Sequence, residues 1–313
     1  MHTTCACVWR ETTANASKMQ RMQIMRIHKI ILGRFNNNMD QTTTFMSFLL
    51  LFTIAALFLS VNNSKPFEMF TDIMSNSNPK FTFDNISVYM INLDRNTDRL
   101  ESFIEQYMMS DLRYKQFQRI SAVDGTSLNV KEEVSPGAFD EITQIEKTGY
   151  RTKHYQLTRG AIGCYLSHVK AYDFISAGDA DYGFIFEDDA NIDPMLLAKL
   201  NKIVGTMDDT WDMLLLGCHC IICEKRDTYY DLEKFFLMHG YIVKKEAAQK
   251  LSTMLKAKKI SQQVDSEISD MITQGHFKVY CLKNSLSTQK GFETNIQTPL
   301  KVMPGVNPYT TLI

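Results

Sequence analysis

Short apolar runs that each close on a polar cluster constrain this chain more than any other feature. Ile86–Leu93 (ISVYMINL) leads into the cluster 92–99, Phe117–Ala122 (FQRISA) into Asp124-Gly125, and Tyr182–Phe186 (YGFIF) into Glu187-Asp188-Asp189. Runs of this length and composition predict strands, and the wholly apolar ones strands buried on both faces. Helical periodicity separates them. It starts at Asp94 and continues through Met109. It returns behind Thr158, a capping residue, where Ile162, Tyr165, Leu166, Val169, Ala171, Tyr172 and Ile175 share one face up to Gly178. Further strands are expected at Trp211–Gly217, Leu237–Val243 and Phe277–Cys281. Helices are expected from Asn191-Ile192-Asp193-Pro194 and at Lys245–Leu255 and Ser266–Thr273. Residues 126–156 read as a polar, mobile loop, and the chain from Gln289 as a tail. The alternation predicts an α/β domain with a mixed, mostly parallel sheet covered on both faces. Ligands of such sheets bind beyond the carboxyl ends of the strands, where all three polar clusters fall.

A different composition marks the N-terminal part. Gln41–Ser64 carries no charge, and Phe45–Val61 within it is almost wholly apolar. With Thr42–Thr44 the run 42–61 is long enough to span a hydrocarbon core of roughly 30 Å. Residues 1–41 hold Arg10, Lys18, Arg21, Arg26, Lys29 and Arg34 against Glu11 and Asp40. That excess predicts a cytosolic basic tail, a single-pass signal-anchor, and a C-terminal part in the lumen of the secretory pathway or another extracytoplasmic space. The alternative is a cleaved signal peptide with a start at Met25 or Met39. Residues 62–82, with Pro66 and Pro79, read as a stem or linker. Residues 83–290 then form the folded domain and 291–313 a C-terminal tail.

The 34 Lys and Arg balance 35 Asp and Glu, giving a net charge of −1. No nucleic-acid partner is expected from such a balance. Seven cysteines in 313 residues are too few for a disulfide scaffold. Cys218-His219-Cys220-Ile221-Ile222-Cys223 resembles a zinc cluster superficially, but no second ligand pair lies nearby. A disulfide or plain burial suits it better, and the five cysteines from Cys164 onward leave one unpaired.

Three consecutive carboxylates after an apolar strand repel one another and lose hydration. A hard divalent cation, Mn²⁺ or Mg²⁺, relieves both. Strand alternation puts Glu187 and Asp189 on one side, as metal ligands, with Asp188 turned elsewhere. A solvated acidic turn at a helix start is the competing reading. Arg95 and Arg99, spaced i, i+4 at a helix start, suit a diphosphate. Surface pairing with Asp94, Asp98 or Glu101 competes. Gly160 and Gly163 permit close backbone approach, with Ser167 and His168 one turn further on. The chain has no Walker loop, no G-x-S-x-G, no H-E-x-x-H and no G-x-G-x-x-G.

Taken in order, these stretches resemble glycosyltransferase family 25, which includes lipooligosaccharide and procollagen galactosyltransferases. The stretches are VYMINLDRNTDRL (88–100), FQRISAVDG (117–125), LTRGAIGCYLSHVKAY (157–172), YGFIFEDDA (182–190), WDMLLLG (211–217), MHGYIVKKEAAQKL (238–251) and VDSEISDMI (264–272). The resemblance implies a GT-A-like, single Rossmann-type nucleotide-sugar-binding domain. It also implies transfer of galactose or glucose from a UDP-sugar, inversion at the anomeric carbon and a Mn²⁺ or Mg²⁺ requirement. Carried over, Asn92, Arg95, Arg99, Asp124, Gly163, Ser167, His168 and Asp188 bind the donor, and Glu187 and Asp189 hold the metal. Asp265 is the first choice for the base that deprotonates the acceptor hydroxyl, and His239 the second. In the family a proline usually stands before the aspartate; here Gln263 and Val264 do. The acceptor is a hydroxyl of a protein or a glycan. A non-catalytic family member serving adhesion or scaffolding is the alternative, and retention of all three acids argues against it. A phosphohydrolase lacks the clustered His and Asp ligands of two-metal sites.

Overall fold

A computed structural model describes residues 79–152, 156–292 and 296. They belong to a compact unit, Ser77–Ile313. The basic tail, the apolar segment 42–61 and the stem up to residue 78 lie outside the described residues. Among the described residues no helix is long and apolar enough to cross a membrane.

The strands are β1 (Ile86–Asn92), β2 (Gln116–Ser121), β3 (Tyr182–Glu187), β4 (Ala190–Ile192), β5 (Met213–Leu215), β6 (His219–Lys225), β7 (Tyr229–Phe236), β8 (Gly240–Lys244), β9 (Val279–Leu282) and β10 (Ser287–Gln289). The helices are α1 (Thr97–Met109), α2 (Val130–Glu133), α3 (Pro136–Thr148), α4 (Arg159–Ala177), α5 (Leu196–Val204), α6 (Lys245–Lys256) and α7 (Val264–Thr273). Eight strands form one sheet in the order β2-β1-β3-β8-β5-β9-β7-β6, and β10 pairs with β4 in a second, two-stranded sheet. β1 runs parallel to β2 and β3, and β5 parallel to β9. The other four pairs of the large sheet are antiparallel. The sheet is mixed, as expected, with a larger antiparallel share than the apolar runs alone indicate.

Strand alternation divides the core between the two faces. Tyr89 and Ile91 of β1 join Ile162, Tyr165, Leu251 and Ile268 on the face covered by α4, α6 and α7. Ile86, Val88 and Met90 join Phe103, Tyr107, Leu196 and Leu200 on the face covered by α1 and α5. β8 divides in the same way, with Tyr241 and Val243 on the first face and Ile242 on the second.

Several elements depart from expectation. The stretch 126–156 holds α2 and α3 in place of a loop. Ser135 caps α3 by accepting from Ala138 N, Pro136 opens it, and Gly149 at φ 72° ends it. The hairpin β6–β7 was not expected, because β6 is a half-exposed edge strand whose polar residues mask its period. β4 occupies 190–192, so the next helix starts only at Leu196. β8 begins at Gly240 and not at Leu237, whose φ of 75° breaks the strand. Phe81, assigned to the linker, is buried edge-on against Tyr182 and Phe184 at 4.9 and 5.3 Å. The domain therefore takes in residues before 83. At the other end, β10 and Phe292 belong to the fold and not to a tail.

The cysteine cluster forms disulfides. Cys218 pairs with Cys281 and Cys220 with Cys223, and Cys164 is the free thiol among the described residues.

Candidate active site

A cavity of about 880 Å³ opens at the carboxyl ends of β1 and β3. Asn92, Arg95, Arg99, Asp124, Ser167, Glu187, Asp188, Asp189, His239 and Asp265 all line it. The sheet order explains the convergence: β1 stands beside β3, and β3 beside β8, so their ends meet.

Asp188 ties this end of the sheet together. Its Oδ2 accepts from Asn92 Nδ2 at 2.7 Å and from Asn96 Nδ2 at 3.4 Å, and its Oδ1 lies 3.3 Å from Arg99 Nη1. Asn92 in turn accepts from Arg119 Nε through Oδ1 at 2.9 Å. Asp188 thus faces α1, away from its two acidic neighbours. Arg95 pairs with Asp124. The hydroxyl and amide of Thr126, followed by Arg95, hold the Asp124 carboxyl below its usual range.

Glu187 is held from the interior. Nε2 of His168 lies 3.0 Å from its Oε1, and the Cys164 thiol points at the same oxygen from 3.9 Å. Nδ1 of His168 lies 2.7 Å from Tyr241 Oη, which donates to Tyr172 Oη at 3.0 Å. Burial opposes the charge of Glu187, but the hydrogen bond and positive field of His168 prevail, and its carboxyl lies below the usual value. Burial first, and then the charges of Glu187, Asp265 and Asp189, push the Cys164 thiol well up, so it stays protonated.

Asp189 is in the opposite condition. Gln289 Nε2 donates to its Oδ2 at 2.8 Å, while its Oδ1 is buried with no hydrogen-bond partner. Burial, and then the charge of Glu187, raise its carboxyl from 3.8 to about 7. A buried, partnerless carboxylate oxygen beside a second acid is the chemistry that a hard divalent cation satisfies. The residues present therefore fit such an ion. Cys164, His168 and Glu187 also offer ligand atoms within 4.8 Å of one another. Their hydrogen bonds to each other, and the protonated thiol, make them a buried support for Glu187.

The two base candidates flank the same space. Asp265, at the start of α7, accepts from Ser266 N at 2.8 Å and from Leu237 N at 3.3 Å, and burial raises its carboxyl. His239 Nε2 donates to the Ser287 carbonyl at 3.0 Å, and its Nδ1 is buried without a hydrogen-bond partner among the described residues.

Two of the expected donor-binding residues do not reach the cavity. Gly163 lies where a Cβ would meet Val123 O at 2.4 Å, so it lets α4 press against the 122–125 loop. His168 is wholly buried and meets the site only through Glu187. Ser167 borders the cavity, yet its hydroxyl is used up: it accepts from Val123 N at 2.8 Å and donates to Gly163 O at 2.6 Å. Other residues were missed. Gln289, Lys290 and Phe292 complete the cavity from the C-terminal side. Lys290 N donates to Asp189 O at 2.8 Å, and the Phe292 ring lies 5.0 Å from the Arg99 guanidinium. No periodicity marks a three-residue strand, so the sequence carried no signal for them.

Comparison with known proteins supports the family resemblance. The chain is 26% identical to procollagen galactosyltransferase 2 of Homo sapiens over 184 residues, which are 55% of this chain and 28% of that protein. It is 24% identical to procollagen galactosyltransferase 1 of Danio rerio over 196 residues, 59% of this chain and 31% of that one. It is 26% identical to a glycosyltransferase 25 family member of Anopheles gambiae over 189 residues, 55% of this chain and 29% of that one. The chain thus spans about a third or less of the length of these relatives. The sequence pattern described as Glycosyltransferase family 25 (LPS biosynthesis protein) matches residues 85–268, which carry β1, β3, the acidic triplet and Asp265. The chain belongs to glycosyltransferase family 25.

Proposed function

We propose that this chain is an inverting hexosyltransferase that moves galactose or glucose from a UDP-sugar to a hydroxyl of a protein or glycan acceptor. The observation that carries the reading is the buried, partnerless Oδ1 of Asp189 in a cavity that also holds Arg95 and Arg99. Asp189, with Glu187 beside it, would hold Mn²⁺ or Mg²⁺, and the ion would offset the charge of the departing nucleoside diphosphate. Arg95 and Arg99 lie at the start of α1, where guanidiniums and helix amides favour phosphate oxygens. Asp188 fixes Asn92, Asn96 and Arg99 in place. Asp265 would take the acceptor proton: its raised carboxyl is a stronger base than an exposed one, and Leu237 N and Ser266 N aim it.

The reading extends to compartment. Two disulfides support folding in an oxidising space, in keeping with an anchor at 42–61 that leaves this domain in the lumen.

The test is a binding and turnover screen of UDP-, GDP- and CMP-sugars with Mn²⁺, with EDTA, and with Glu187→Ala and Asp189→Ala. Manganese-dependent turnover of one UDP-sugar, lost in both variants, is expected. A folded chain that binds no nucleotide would sink the reading and favour the non-catalytic alternative.

A further inference from the structure

Leu237 carries two costs that burial of its side chain among the described residues does not offset. It is the one non-glycine residue with positive φ among the described residues, at 75°, a region where a bulky side chain is strained. It is also 40% exposed, while Phe236 and Met238 on either side are buried. A leucine in the core would compensate for strain by burying its side chain, and this one does not. Glycine or asparagine would hold the same backbone with less strain.

The surroundings show what the turn achieves. The chain leaves β7 at Phe236 and enters β8 at Gly240, so residue 237 sits between two strands of the main sheet. The turn directs the Leu237 amide to Oδ2 of Asp265 at 3.3 Å. It also brings Leu237 to the wall of the cavity, next to that carboxylate. Ile142 and Ile145 of α3 line the same cavity, whereas Asn92, Arg95, Arg99 and Asp188 supply its polar part. One cavity therefore holds a polar, cationic portion and an apolar residue beside the candidate base.

We propose that Leu237 is an acceptor-contacting, specificity-determining residue, and that this enzyme selects acceptors with an apolar group next to the hydroxyl they offer. The inference rests on the transferase reading and deepens it. The backbone amide of residue 237 positions Asp265, and the side chain of the same residue packs on the acceptor. A single strained turn thus couples placement of the base to recognition of the group it deprotonates.

The test uses the full chain with UDP and Mn²⁺. The apolar probe is 1-hexanol, with glycerol as the polar control, and binding is read by ligand-observed NMR. Binding of 1-hexanol and none of glycerol is expected. Leu237→Gly and Leu237→Ser should weaken 1-hexanol binding about tenfold, and Leu237→Met should retain it. Leu237→Gly keeps the amide that Asp265 accepts from, and should raise the melting temperature by relieving the strain. Unchanged 1-hexanol binding in Leu237→Gly, or a lower melting temperature in that variant, overturns the proposal. A chain that binds 1-hexanol through Leu237 but does not bind UDP keeps this assignment of an apolar contact and overturns the transferase reading alone.

Discussion

Nε2 of His168 lies 3.0 Å from Oε1 of Glu187, and the histidine ring is wholly enclosed by protein. Its other nitrogen is committed to Tyr241, so the ring cannot turn without losing two hydrogen bonds. His168→Ala leaves a buried carboxylate without its partner, which costs about 3–5 kcal/mol. The expected result is a large fall in melting temperature and weaker Mn²⁺ binding. Glu187 lies below its usual value in the folded chain, so its contribution is present above the ordinary carboxylate range and lost as pH falls through the lowered value. The acid limb of the stability curve should therefore flatten in His168→Ala.

Asp189 gives the opposite slope. Its carboxyl stands at about 7 in the folded chain against 3.8 ordinarily, so the folded state holds the extra proton between those values. Stability from this group is full below about pH 4 and falls as pH rises through 7. Asp189→Asn should remove that slope, raise the melting temperature at pH 8 and abolish Mn²⁺ binding. In the native chain, Mn²⁺ competes with the proton, so its affinity should fall about tenfold per unit below pH 7. Calorimetric titration from pH 5.5 to 8 checks this; a flat profile would remove Asp189 from the metal site.

Asp265→Asn keeps the shape at the start of α7 but cannot accept a proton. Turnover should fall by about 10²–10⁴ while UDP binding stays within about twofold. Loss of UDP binding in the variant, or full turnover, would assign the base elsewhere.

At Gly163 a methyl group would sit 2.4 Å from Val123 O and 2.8 Å from Gly125 N, both main-chain atoms that cannot swing aside. Gly163→Ala must push α4 off the 122–125 loop, at about 1–3 kcal/mol. Asp124 would move with the loop, so a lower melting temperature and weaker UDP binding should appear together.

Cys218, between β5 and β6, is joined to Cys281 of β9 across 63 residues. Closing a loop of that length stabilises a fold by about 2–5 kcal/mol. Cys281→Ser should lower the denaturant midpoint accordingly. Unchanged stability would show that the sheet holds without the bridge.

How much of this was legible depended on how many residues shared each signal. β1, β3 and α4 announced themselves because their burial is continuous or strictly periodic. The ends of those elements carried Asn92, Arg99 and the acidic triplet into view. Ser135, Pro136 and Gly149 were also in the sequence, yet the polar residues between them hid α3. The division of labour within the triplet was only partly readable. Alternation extended past β3 anticipates that Asp188 parts from its neighbours, although residues 188 and 189 lie in the turn after the strand. Only the tertiary fold brings His168 to Glu187 and Gln289 to Asp189. Leu237 gave no signal, because backbone strain is a property of the assembled chain.

The pairing of β10 with β4 has a consequence in time. A ribosome delivers Asn92, Asp124 and Asp188 about a hundred residues or more before Gln289, so the emerging polypeptide exposes an acidic rim that has no cover. Gln289, Lys290 and Phe292 then close that rim from outside, later in synthesis than the acids they cover. Until they arrive, Asp189 lacks the amide that Gln289 gives to its Oδ2. The centre is completed only by residues that follow the sheet it rests on along the chain.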